Sequence, residues 1–164
     1  MAYLLDTDGF IQAKNLHYGF DFCPAFWDWI EAEHATGTLF GIERVQDELT
    51  AGGDDLADWA RSHDRQFFLP PASDDLPSLR AVSTWANGAG YDASAVSIFL
   101  QAADYYLVAQ AHASGHTVVT HEVPSPSTKK LKIPDACIGV DVKCVTPFHM
   151  LRAEHARFVL GPAA

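Results

Sequence analysis

AADYYLVAQAHASGHTVVTHE, residues 102–122, is the stretch on which the fold class turns. Leu107, Val108 and Ala111 recur as they do on the buried face of a helix, and Gly115 supplies its stop. HTVVT, residues 116–120, then has the β-branched density of a buried strand. An acid stands at each end of this unit: Asp104 opens the helix, and Glu122 follows the strand with one residue between. In open parallel sheets, ligands collect beyond the carboxyl ends of the strands, so Glu122 falls where chemistry is expected.

Working outward, the same grammar repeats. Tyr3 to Leu5 is a short apolar run that ends in Asp6, a buried strand delivering an acid at its end. FDFCPAFWDWIEAEHATG (20–37) predicts a helix with Pro24 in its first turn, Phe26, Trp27 and Ile30 at helical spacing, and Gly37 as the stop. Residues 38–41 predict a second short strand. In IERVQDELTAGG (42–53), Ile42, Val45 and Leu49 share a helical face, Glu48 lies beside it, and the Gly52-Gly53 pair ends the run. DDLADWARSH is a further short helix, QFFL (66–69) an apolar strand, and PPASDDLP (70–77) a loop. Helical segments run through Trp85 and from Ala93 to Leu100. Past Glu122, VPSPSTKKLKIP (123–134) is the clearest loop. A short helix near PDACIG, a strand near VKCV and a helix opened by Pro147 follow. Strands alternating with helices predict an α/β layered fold with a mostly parallel sheet, and the 164 residues suit one domain, 1–164.

Composition narrows the function. Hydrophobic residues make up 48% and charged residues 20%, an ordinary globular balance. No apolar run approaches the roughly 20 residues that cross a bilayer, and the N-terminus carries no basic leader. The expectation is a cytoplasmic protein without a membrane partner, its cysteines Cys23, Cys137 and Cys144 reduced and mostly buried. A formal charge of −10 argues against a tight non-catalytic nucleic-acid binder, and suits either a carboxylate-lined site or a basic protein partner.

Several chemistries lack their residues. Gly115 separates His112 from His116, HEVPS lacks the second histidine of a zinc protease, and Cys137 and Cys144 have no histidine partners at zinc spacing. There is no G-x-S-x-G elbow and no glycine-rich phosphate loop. What remains is the acids. Carboxylates folded into one pocket repel one another, and some would hold a proton unless a cation were present. Magnesium takes an octahedral shell of oxygens and keeps several waters, so a few carboxylates suffice. Such an ion can activate water against a phosphodiester. Taken singly, each acid is better explained as a cap or a solvated side chain.

The blocks, taken in order, resemble the PIN-domain superfamily. YLLDTDGFIQA (3–13) looks like that family's opening strand and aspartate, and IERVQDEL like its Val-x-x-Glu-Leu helix. The stretch 102–122 resembles its third and fourth motifs, and KIPDACIGVDVKCVTPFHML (132–151) its last strand and closing helix. The segment 13–31, with IPDAC near the end, is similar to one PIN-like branch described as a domain of unknown function. The resemblance implies a three-layer α/β/α fold and metal-dependent RNA cleavage. It also implies kinship with VapC-like toxins, which are restrained by an antitoxin protein, and, since many PIN proteins dimerise, a homodimer.

Carried over by position, the resemblance gives Asp6, Glu48 and Asp104 the three metal-binding carboxylate places and Glu122 the fourth, for Mg²⁺ or Mn²⁺. Thr7 and Thr120 fall on the hydroxyl positions, and Asp8 stands where Asn is usual. Asp135 is a second-tier candidate, since an acid in a helix's first turn is favourable anyway. Lys129, Lys130 and Lys132 are either a solvated loop or a grip on the RNA backbone, with Lys14 and Arg152 as helpers. Phe26, Trp27 and Trp29 read better as core or a partner interface than as base-stacking surface. The leading expectation is a Mg²⁺- or Mn²⁺-dependent endoribonuclease, the toxin of a toxin–antitoxin pair. Its rivals are a non-catalytic PIN-like interaction module and a structure-specific DNA nuclease.

Overall fold

Five short strands share one sheet in the computed structural model, which describes residues 1–161. They are β1 (Tyr3–Leu5), β2 (Leu39–Ile42), β3 (Phe68–Leu69), β4 (Thr117–Val119) and β5 (Cys144–Val145). Their order is β3-β2-β1-β4-β5, and every pairing is parallel. The first half of the chain therefore builds outward from β1 in one direction, and the second half returns to build on β1's other edge. Parallel crossovers are right-handed, so connections running in these two directions lie on opposite faces, which gives helix, sheet and helix layers. The point where the direction reverses is the β1/β4 seam, and there the crevice opens beyond the strand ends.

The helices are α1 (Thr7–Gln12), α2 (Pro24–Ala35), α3 (Glu43–Thr50), α4 (Asp55–Arg61), α5 (Leu76–Gly88), α6 (Ala93–Gln101), α7 (Ala103–Ser114), α8 (Ile133–Gly139) and α9 (Pro147–Ala153). Most expected elements are present within two residues of their expected ends. Gly115 adopts the left-handed conformation (φ 65°) that closes α7, and Gly37 (φ 77°) follows α2.

Two local expectations need correction. Ile42, expected on the helix of α3, ends β2 in extended conformation. PPASDDLP is not all loop. Asp75 is buried and accepts a hydrogen bond from the Ala72 amide at 2.7 Å, a short 3₁₀ turn spans Ser73–Asp75, and α5 starts at Leu76 with Pro77 in its first turn. Between β1 and α2 the chain forms α1 and then a wide π turn, Ala13–His17, closed by the Tyr18 amide on the Ala13 carbonyl at 2.6 Å.

The core is continuous across the sheet. Leu4, Leu5, Leu39, Ile42, Phe68, Val118 and Val119 supply its strands, while Phe10, Phe26, Ile30, Val82, Leu107, Val108 and Met150 close over them. Phe26 and Trp27 are buried as expected and Trp29 packs half-buried against the core, so this aromatic segment is structural. Cys137 is buried, Cys23 and Cys144 are half-buried, and all three are free thiols. Among the described residues no helix is long and apolar enough to cross a membrane.

Candidate active site

The β1/β4 register carries straight into the site. Leu5 is paired with Val119, so Asp6 and Thr120 leave the sheet side by side. The Asp6 amide still donates to the Val119 carbonyl at 3.1 Å, and that of Thr120 to Val145 at 3.0 Å. The Asp6 side chain then caps α1. Its Oδ1 accepts the Gly9 amide at 2.6 Å and its Oδ2 accepts the Thr120 hydroxyl at 2.7 Å. A β-carbon at residue 9 would stand 2.7 Å from Asp6 Oδ1, so a larger residue there would displace this carboxylate oxygen. Thr120 also accepts the Glu122 amide at 3.0 Å, so one hydroxyl ties the ends of β1 and β4 together.

Glu48 arrives from α3 and bridges two elements. Oε2 accepts the Thr7 hydroxyl, and Oε1 accepts the Ala103 amide at 3.2 Å, at the first turn of α7. That second contact satisfies one of the amides a helix start leaves unpaired, and sets Asp104, the next residue, beside the seam. Asp6, Thr7, Asp8, Glu48, Asp104, Glu122, Lys130 and Lys132 all line one open cavity of about 590 Å³, together with Gln12, His121 and neighbouring apolar side chains. The structure thus brings five acids from four segments to one place.

Their electrostatics differ. Asp6 is only 2% exposed, and burial holds its carboxyl up at about 7, above the usual carboxylate range. The Asp104 and Asp8 charges add to the rise, and the Thr120 and Gly9 hydrogen bonds oppose it. Burial likewise raises Asp104 to about 6, with the Glu122 and Glu48 charges pushing the same way and Lys130 opposing them. Both carboxyls are thus held up chiefly by burial, with like charge adding to the rise.

Glu122 has found its own partners. Oε1 lies 3.2 Å from Lys132 Nζ and 3.9 Å from Lys130 Nζ, and Oε2 accepts the Ile133 amide at 2.8 Å. Of the lysine run, Lys130 and Lys132 reach the cavity, whereas Lys129 is not among its lining residues. Glu122 thereby fastens the loop 123–132 at its far end. Glu122→Gln is expected to cost no more than about 1 kcal/mol, because the pair is partly solvated. Hydrogen exchange should quicken at residues 123–132, and unchanged exchange there would show that the anchor lies elsewhere.

Other candidates sit at the margin. Asp8 accepts from the Gln12 side chain on α1. Asp135 does not line the cavity. Its carboxylate accepts the Ser125 amide at 3.2 and 3.3 Å and so braces the same loop. Lys14 pairs with Asp54 and Asp55 at 3.0 and 2.9 Å, and Arg152 bonds the Phe148 carbonyl at 3.3 Å, so both have local partners. His112 and His116 are engaged separately, with Ser78 at 2.8 Å and the Ala2 amide at 3.3 Å. His121 lines the cavity, and in the sequence it stands out only as the start of the incomplete HEVPS motif.

The donor set suits a hard divalent cation: every candidate ligand is a carboxylate oxygen, and two of the acids are raised by burial and by like charge. As placed, no group of three or more His, Cys, Asp or Glu side chains among the described residues is arranged to hold a metal ion. Glu48 and Glu122 are engaged with protein donors instead.

Comparison with known proteins bears on the fold. The family model described as Domain of unknown function (DUF4411) matches residues 3–158. Among curated proteins, none matches the chain. Similar solved structures include VapBC2 from Rickettsia felis bound to a DNA fragment from its promoter, at 15% identity and TM-score 0.56, covering 89% of this chain and 98% of that one. FitAcB from Neisseria gonorrhoeae is similar at 17% identity and TM-score 0.54, covering 90% and 99%. FitAB bound to the IR36 DNA fragment is similar at 17% identity and TM-score 0.53, covering 90% and 96%. At these identities the likeness is one of fold. The fold is PIN-like, as the sequence resemblance implied.

Proposed function

Since the chain belongs to the DUF4411 family and its fold is PIN-like, we propose that it is a divalent-metal-dependent endoribonuclease, the toxin of a toxin–antitoxin pair. The observation that carries this is the carboxylate pocket at the β1/β4 seam, where Asp6 and Asp104 are both held above the ordinary carboxylate range. A binding module has no use for buried acids that repel one another at the open end of a sheet.

Asp6, Glu48 and Asp104 would hold Mg²⁺ or Mn²⁺, with Glu122 as the fourth acid. The ion supplies acidity to a water and compensating charge to phosphate oxygens. Thr120 fixes the Asp6 carboxylate and Thr7 fixes Glu48, so these hydroxyls set the angle of the ligands. Lys130 and Lys132 offer positive charge on the same cavity wall, where a phosphate backbone entering an acidic protein needs it. An antitoxin protein belongs to this proposal, and VapBC2 and FitAB, the DNA-bound structures of similar fold, favour looking for one.

The test is cleavage of single-stranded RNA with Mg²⁺ or Mn²⁺, followed with and without a chelator and in the Asp6→Asn, Asp104→Asn double variant. Cleavage is expected to need the metal and to vanish in the variant. Equal cleavage by both proteins would refute the proposal, and cleavage of single-stranded DNA alone would move it to the DNA nuclease class.

A further inference from the structure

Three rings from distant segments meet at the rim of the acidic cavity. His17 closes the π turn after α1, His121 stands between Thr120 and Glu122, and Phe148 is the second residue of α9. The His17 and His121 centroids are 5.4 Å apart, His17 and Phe148 are 5.2 Å apart and edge-on, and His121 and Phe148 are 5.6 Å apart. His121 itself lines the cavity.

This cluster differs from core packing. On α9, Pro147, Met150 and Leu151 are buried, whereas Phe148 stays 37% exposed. Neither imidazole makes a hydrogen bond to another described residue, and no buried side-chain nitrogen or oxygen among the described residues lacks a partner, so the ring nitrogens reach solvent. A solvent-facing aromatic surface with free polar edges therefore adjoins a cavity that carries both lysines and carboxylates.

We propose that His17, His121 and Phe148 form a stacking platform for an unpaired nucleobase of the substrate, next to the phosphate that the cavity receives. This rests on the nuclease proposal and adds which part of the substrate the chain engages. Aromatic faces hold bases without regard to sequence, and a base already stacked inside a duplex has no free face to offer. The platform thus makes the site prefer single strands while leaving base identity open.

The test separates binding from turnover. In an Asp104→Asn background, the affinity for a short fluorescent single-stranded RNA is compared before and after Phe148→Ala and Phe148→Tyr. Phe148 is partly exposed, so its truncation leaves the fold standing, which a thermal melt checks. Phe148→Ala is expected to weaken binding about tenfold, and Phe148→Tyr, which keeps the ring, to restore it. Single abasic positions are then scanned along the RNA. One position should cost the parent the same factor and cost the Phe148→Ala protein nothing further, since base and ring are two halves of one contact. Full affinity in Phe148→Ala, or losses that simply multiply at every position, would overturn the platform while leaving the nuclease proposal intact. If the parent bound no RNA, both would fall.

Discussion

Asp104→Asn is expected to lower RNA cleavage by at least about a hundredfold while leaving the fold intact. Losing a residue that merely orients a metal ligand costs about 10–100-fold in affinity or activity, so losing a ligand sets that range as a floor. The fold should survive because the Asp104 side chain accepts no hydrogen bond from another described residue, and its carboxyl is held up at about 6 by burial and by Glu122 and Glu48. Removing its charge takes away repulsion and no structural contact. Cleavage assays and a melt on the same preparation check both halves. Activity within a few-fold of the parent would remove Asp104 from the site.

The second expectation concerns stability. With its folded-state value raised from 3.8 to about 7, Asp6 stabilises the metal-free protein when protonated. That contribution is fully present below about pH 4 and is lost as pH rises through about 7, because the native state holds a proton that the unfolded chain releases. A tenfold difference in proton affinity is worth about 1.36 kcal/mol, so the loss is roughly 4 kcal/mol at most. Asp6→Asn should therefore melt higher than the parent in chelator at neutral pH and above, and the difference should close near pH 4. The Asn carbonyl can keep the Gly9 amide, and the Thr120 hydroxyl, with a second lone pair, can turn to accept from the Asn amide. Each kcal/mol corresponds to about 2–4 °C in a chain of this size. Parallel melting curves for the two proteins across that range would show that burial does not strain Asp6.

Such gains without metal, paired with loss of activity, are what a functional site built from repelling charges produces. The same logic explains what the sequence could and could not disclose. Asp6, Glu48 and Asp104 were legible as candidates through the resemblance to the Val-x-x-Glu-Leu helix and its companion motifs; by local pattern alone each reads as a cap or a solvated side chain. The strand order was not, yet it is what turns three local patterns into one pocket. HTVVT could have paired at either edge of the sheet, and only its place beside β1 puts Thr120 on Asp6.

Long-range pairings left no trace in spacing. Nothing in VPSPSTKKLKIP says that Lys132 folds back onto Glu122, or that Asp135 holds the Ser125 amide. The His17, His121 and Phe148 cluster sets His17 against two residues more than a hundred positions away, and no spacing between the three announces it. PPASDDLP misleads for a different cause. Pro, Ser and Asp mark loops and helix starts alike, and only the buried Asp75 contact to Ala72 decides between them.

Calorimetric titration of the metal-free protein with Mg²⁺ or Mn²⁺ at about pH 6.5, between the values at which burial holds Asp104 and Asp6, tests the central claim most directly. Run in two buffers of different ionisation enthalpy, it reports ion binding and proton release together. Saturable binding that expels protons, and that weakens in Asp104→Asn, is the predicted result. No saturable binding, or binding that releases no proton and ignores Asp104→Asn, would contradict the account.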